Sequence, residues 1–307
     1  MAKCAYPVLR LMLALILASR VGVAFASQAA PLQSNYVFEV KSSQGRVAYV
    51  YGSAHYAASL APVHLGQCVK KLLKASTAVF LESDQLAFRG FLAKGARTVH
   101  MARVVEFIDK PTLDALRIGL FGPGSDGESK LRDMDAQTLV SVLTARIPGR
   151  EEIAGMPDHG LDTEIAMVAR FLNLPVAFVE TPQEQWRFFG LVSPQDYAKA
   201  IVAVFRLVND RKAGEDYHHG LLKLMQAMAV GDEKALMEHL QEEGFVGYYR
   251  GTILARNPSL AASVDALASA APVSPVFFAL GATHLAGDEG VVRRLGRQGY
   301  QVTRLCE

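Results

Sequence analysis

The sequence predicts an α/β fold: a central, mostly parallel sheet with an N-terminal hairpin, flanked by helices and carrying a large all-helical insertion. Two observations lead there. Four short apolar runs, Val47–Tyr51, Ala78–Leu81, Val176–Val179 and Val276–Leu280, have the length and the β-branched and aromatic content of buried strands. The stretches between them are long and largely helical in pattern, as crossovers between parallel strands require.

The chain opens with a segment that is expected to leave the mature protein. Lys3 and Arg10 form a basic start, and Leu11 to Ala18 is an apolar core too short to span a bilayer. Ala24-Phe25-Ala26 is a small-residue cleavage site, so residues 1–26 read as a signal peptide. The remainder, residues 27–307, is expected as a single domain, exported and soluble, most simply in a bacterial periplasm. No other stretch reaches the ~20 apolar residues of a membrane helix, so no membrane span is expected after cleavage. The whole chain has a formal charge of +2, and Lys3, Arg10 and Arg20 carry three positive charges in the leader without an acid, leaving −1. That balance argues against a nucleic-acid partner, which needs a basic surface. Cys4 departs with the leader. Cys68 and Cys306 remain, and sequence leaves open whether they pair or stay as two buried thiols.

Two strand-like segments, Tyr36–Lys41 and Arg46–Tyr51, flank the polar loop Ser42-Ser43-Gln44-Gly45, a hairpin signal. Gly52-Ser53-Ala54-His55 follows directly. A helix around Gly66–Ala75 leads to the Ala78–Leu81 run, which ends in Glu82. Phe88 to Ile147 is helical in pattern apart from a glycine-rich surface connector at Phe121–Gly127. Gly160-Leu161-Asp162 opens a helix to Leu172, with Asp162 as N-cap or first-turn acid. The Pro175–Val179 run then ends in Glu180. Residues of about 182–272 read as the helical insertion packed against the sheet, with breaks at Ser193-Pro194, Gly214, Gly231-Asp232 and Asn257-Pro258. The last unit is strand Val276–Leu280, turn Gly281-Ala282-Thr283-His284, a helix bearing Val291, Val292 and Leu295, a C-cap at Gly299, and a strand to Leu305.

The chemistry lies in where these runs end. His55, Glu82, Glu180 and His284 each stand at the carboxyl end of a strand candidate, where open α/β sheets place their ligands. If the strands are parallel neighbours, two imidazoles and two carboxylates converge on one edge. Two neutral imidazoles and a carboxylate suit a divalent metal with open positions, and such a metal lowers the pKa of a bound water while a second carboxylate serves as base. The glycine three residues before each histidine permits a tight turn and close backbone approach. The other reading is that the histidines cap helices or bond backbone carbonyls. His64, His100, His159 and His239 are isolated, and adjacent His218-His219 point about 100° apart on a helix. Tyr217, His218, Met225 and Met228 are of residue types that can ligate haem, but a methionine pair at that spacing reads as core.

Tyr49-Val50-Tyr51-Gly52-Ser53-Ala54-His55, Val79-Phe80-Leu81-Glu82, Gly160-Leu161-Asp162, Val179-Glu180-Thr181 with Gln185, Arg256-Asn257 and the closing Gly281–Leu305 stretch occur in the order of the TraB/GumN family, which this chain resembles over nearly its whole mature length. The resemblance implies a fold akin to the erythromycin-esterase and ChaN-like group. It also implies peptide hydrolysis dependent on a divalent metal ion (Mn, Co or Zn), as in the related Tiki metalloproteases. Carried over by position, His55, Glu82 and His284 are the metal ligands. Glu180 and Gln185 are the base or its support, and Arg256 holds a substrate carboxylate or a developing oxyanion. A peptide or protein is the implied substrate; the alternative is a non-catalytic periplasmic metal- or haem-binding protein of the same fold. The chain departs from the bacterial pattern at Pro258-Ser259-Leu260, where relatives carry a tryptophan nearby.

Overall fold

The computed structural model describes residues 32–54, 63–93, 97–123, 126–147, 160–271 and 275–306. The expected leader, His55, His159 and part of the Phe121–Gly127 connector lie outside these residues. Among the described residues eight strands form two sheets. β1 (Leu32–Ser34) pairs in parallel with β4 (Val63–Leu65). The main sheet has the order β6-β5-β7-β3-β2-β8, from β2 (Val37–Lys41), β3 (Val47–Ser53), β5 (Val79–Ser83), β6 (Val176–Glu180), β7 (Val276–Gly281) and β8 (Gln301–Leu305). β6, β5, β7 and β3 are mutually parallel, while β2 runs antiparallel to both β3 and β8. The expected mixed architecture is therefore present, with the hairpin and the last strand supplying its antiparallel edge.

The hairpin closes where the polar loop predicts. The Gly45 N–H donates to the Ser42 carbonyl, and Gly45 adopts a φ of +80°, a left-handed conformation that favours glycine. β7 is the centre of the sheet, and Val276 to Leu280 are all buried because neighbouring strands and helices cover both its edges and both its faces. Phe278 stacks on Phe80 of β5 with ring centroids 5.0 Å apart, and Phe277 meets Tyr51 of β3 at 6.0 Å. These cross-strand aromatic pairs pin the register of β7 between its two parallel neighbours.

Helices fill the crossovers: α1 (Gln67–Ala75), α2 (Gln85–Ala93), α3 (Met101–Val104), α4 (Lys110–Phe121), α5 (Gly127–Asp133), α6 (Ala136–Thr144) and α7 (Leu161–Phe171) precede β6. Between β6 and β7 lie α8 (Pro182–Phe189), α9 (Pro194–Asn209), α10 (Arg211–Val230), α11 (Glu233–His239), α12 (Val246–Thr252) and α13 (Asn257–Ala270). The single turn α14 (Ala282–Leu285) and α15 (Val291–Arg297) follow β7, and Gly299 sits just past α15 with a φ of +95°.

Two details differ from expectation. Gly214 does not break the insertion; it lies in the first turns of α10, whose start is set by the Asp210 side chain accepting from the Ala213 N–H. The insertion also does not pack against the sheet as a whole. Tyr197, Ile201 and Val204 of α9, together with Phe245, join Leu116, Leu131, Leu139 and Leu143 in a second, purely helical core. Met225, Met228, Leu236, Leu260 and Val264 pack on the sheet instead. The split follows the apolar faces: two cores divide one long insertion because α9 is covered by helices of the earlier crossover. The same observation places Met225 and Met228 in the sheet core rather than at a ligand.

Cys68 of α1 and Cys306, one residue beyond β8, form a disulfide with Cα atoms 5.7 Å apart. The pairing that the sequence leaves open is thus made, and it ties the first long crossover to the end of the chain.

Candidate metal-binding and hydrolytic site

Strand order brings three site candidates to neighbouring strand ends. Glu180 ends β6, Glu82 lies near the end of β5, and His284 follows β7. The connection from β5 runs outward to β6, whereas that from β7 runs the other way to β8. Adjacent strands whose connections diverge leave a crevice at their carboxyl ends. Glu82 and His284 flank that crevice, and β3 lies one strand further on, its Ser53 level with Gly281.

The glycines of the two G-x-x-H motifs supply space. Neither has a positive φ. A Cβ on Gly52 would come within 2.4 Å of the Tyr36 ring and 3.2 Å of the Ala282 Cα. A Cβ on Gly281 would stand 3.3 Å from both Glu82 Oε2 and His284 Cδ2. Glu82 Oε2 accepts the Gly281 N–H at 2.7 Å, so the carboxylate is held across the strand gap by backbone. The first glycine lets β3 approach the turn after β7, and the second lets that turn lie against its two functional side chains.

Arg256 and Asn257 come from the junction between a 3-10 turn (Leu254–Arg256) and α13, which Pro258 helps to start. The Arg256 guanidinium donates through Nη2 to Glu82 Oε1 at 2.5 Å and to Glu180 Oε1, and through Nε to Glu180 Oε2 at 3.4 Å. Its Nη1 reaches the Thr252 carbonyl at 3.4 Å and His284 Nε2 at 3.2 Å. Glu82, Glu180, Arg256 and His284 are between 2% and 8% exposed. Charges so buried persist only when paired, and Arg256 pairs with both carboxylates.

Burial of these charges shows in their protonation. Burial is the main force that pushes the Glu180 carboxyl up to about 7; Arg256 opposes it and the Glu82 charge adds to it. For Arg256 burial works against the charge, but Glu82 and Glu180 overcome it and hold the guanidinium above its usual range.

The tautomer of His284 follows from its neighbours. Asn257 Nδ2 donates to the Glu289 carbonyl at 2.9 Å, which turns Asn257 Oδ1 toward His284 Nδ1, 2.7 Å away. An amide oxygen only accepts, so Nδ1 carries the proton. Arg256 only donates, so Nε2 is the bare nitrogen. This lone pair lies 3.8 Å from Glu82 Oε1. A neutral imidazole fixed by a bond to its protonated nitrogen and unprotonated at the other is the form in which histidine ligates a metal.

The donor chemistry at Glu82 and His284 fits a divalent cation. Among the described residues no group of three or more His, Cys, Asp or Glu that could hold a metal gathers, and the third expected ligand, His55, lies outside them. Gln185 is buried in the first turns of α8, behind a capping box in which the Thr181 hydroxyl accepts from the Glu184 N–H and Glu184 accepts from the Thr181 N–H. Sequence reading passed over that Thr-x-x-Glu box and gave Asn257 no role, although Thr181-Pro182-Gln183-Glu184 is its full signature. Nothing local distinguishes Asn257; its partner Glu289 is 32 residues away.

Taken together, these features define a mixed α/β protein with a buried acid, histidine and arginine cluster at the switch point of its sheet. The TraB/PrgY/gumN family model matches residues 36–304, and the chain belongs to that family. A comparison with curated proteins returns no match. Among the described residues no helix is long and apolar enough to cross a membrane.

Proposed function

We propose that this chain is an exported, divalent-metal-dependent hydrolase that cleaves peptides. The observation that carries the reading is the buried juxtaposition of Glu82 with the bare Nε2 of His284, placed at the switch point of the sheet. Glu82 and His284 would hold the metal, with His55 as the third ligand implied by family resemblance. A bound Mn²⁺, Co²⁺ or Zn²⁺ would supply a nucleophilic water at neutral pH and polarise the scissile carbonyl.

The chain's own residues account for the rest. Asn257 keeps the His284 proton on Nδ1 and so keeps Nε2 unprotonated. Glu180, whose carboxyl titrates near neutrality, is matched to taking a proton from the attacking water and returning it to the leaving amine. Arg256 carries the donors for a substrate carboxylate or for charge that develops on the carbonyl oxygen. Burial of the cluster strengthens each of these interactions by lowering the local dielectric. Export is supported by the expected leader over residues 1–26 and by the Cys68–Cys306 bridge, which suits an oxidising compartment such as the bacterial periplasm.

The test is hydrolysis of a mixed peptide library. Turnover should disappear with chelator, return with Mn²⁺, Co²⁺ or Zn²⁺, and be absent from folded His284→Ala and Glu82→Gln proteins. Metal bound to the wild type without turnover would leave a binding protein, and turnover by metal-stripped protein or by His284→Ala would end the reading.

A further inference from the structure

The acceptors at the centre of the site are already in use. Glu82 Oε1 receives Arg256 Nη2 at 2.5 Å, and His284 Nε2 receives Arg256 Nη1 at 3.2 Å. These are the atoms that face each other across 3.8 Å. The single lone pair of His284 Nε2, aimed at a guanidinium N–H, cannot at the same time be donated to a metal, and a cation paired with Glu82 Oε1 repels a second one. We propose that Arg256 is an internal counter-cation that competes with the divalent metal for Glu82 and His284, so that loading the site requires the guanidinium to leave His284 and to yield its place beside Glu82. This rests on the metal reading above and adds to it a role for Arg256 that precedes any substrate.

Three features of the structure support the competition. The guanidinium is only 5% exposed and pairs with two carboxylates, so it supplies positive charge at the same oxygens that a cation would use. Among the described residues its contact outside Glu82, Glu180 and His284 is a long one, 3.4 Å from Nη1 to the Thr252 carbonyl in the preceding turn. Glu180, in turn, offers the displaced group a second carboxylate, through Nε and Nη2, that is no part of the expected ligand set. Release therefore means a shift of the guanidinium toward Glu180 and not its expulsion into water. Once shifted, the Nη1 face is free to receive an anionic group of a peptide.

Two substitutions separate competition for lone pairs from simple charge repulsion. Arg256→Met removes the cation, whereas Arg256→Lys keeps the charge but cannot span Glu82, Glu180 and His284 with one flat fork. Mn²⁺ affinity of full-length wild type and both variants is measured by electron paramagnetic resonance, with folding checked by circular dichroism. Both variants are expected to bind Mn²⁺ at least ten times more tightly than wild type. A variant that folds only when Mn²⁺ is added counts for the proposal as well. Wild-type or weaker affinity in Arg256→Lys would overturn it while leaving the metal site standing. No Mn²⁺ binding by any of the three folded proteins would overturn both. In the wild type itself, the Arg256 Nη1 and Nη2 protons report whether His284 and Glu82 hold the guanidinium. Zn²⁺ should shift their resonances while the Nε–H stays on Glu180, and unchanged Nη resonances with Zn²⁺ bound would refute the competition without any variant.

Discussion

Asn257 is the residue on which the electronic state of the site turns. It is fully buried, and its two amide atoms are committed in opposite directions, to the Glu289 carbonyl and to His284. Asn257→Leu should therefore lower metal affinity by about 10–100-fold, the usual effect of losing the partner that orients a ligating histidine. A Mn²⁺ titration checks the affinity, and ¹⁵N chemical shifts of the His284 ring check that the Nδ1–H form loses its dominance. Glu180 makes a second, pH-based prediction. Its folded carboxyl, near 7, lies above the ordinary value of 4.5, so the fold holds this proton more tightly than the unfolded chain does. That stabilisation is complete below pH 4.5 and is lost as pH rises toward 7, by on the order of 3 kcal/mol if Glu180 acted alone. Denaturant unfolding at a series of pH values should show this decline in the wild type and a flatter profile in Glu180→Gln. Parallel profiles would count against a neutral-pH carboxyl at this position.

At the scale of elements, the two motif glycines should behave differently when replaced by alanine. Gly52→Ala would drive a methyl to within 2.4 Å of Tyr36 and 3.2 Å of backbone, so it should cost roughly 1–3 kcal/mol as an overpacking defect. Gly281→Ala meets only side-chain atoms, at 3.3 Å, and should fold with a smaller loss of stability; its effect should fall on Glu82 and His284, as weakened metal binding. Thermal melts paired with Mn²⁺ titrations distinguish the two. The helix start at Thr181 is equally local, and Thr181→Ala should cost about 1 kcal/mol through loss of the capping box. Elements with such local causes were legible in the sequence: the apolar runs are strands, and Gly45 and Gly299 sit at turns with positive φ. Gly214 was not, because a glycine lowers helix propensity by only about 1 kcal/mol and the cap at Asp210 outweighs it.

For the whole molecule, the disulfide makes the clearest prediction. Cys68 and Cys306 are 238 residues apart, so their bridge removes a large loop from the unfolded ensemble. Reduction, or Cys68→Ser with Cys306→Ser, should lower unfolding stability by about 2–5 kcal/mol, measured by denaturant titration with and without reductant. The sequence by itself determined the strands of the main sheet, their helical crossovers and the glutamates that stand at the ends of β5 and β6, because strand and helix periodicity and turn chemistry are short-range properties. Only the tertiary structure decided that β7 lies between β5 and β3, that the insertion divides between two cores, and that Arg256 and Asn257 arrive at the strand ends. These are contacts between residues tens to hundreds of positions apart. They are settled by which apolar faces can be buried together, and no local pattern records that choice.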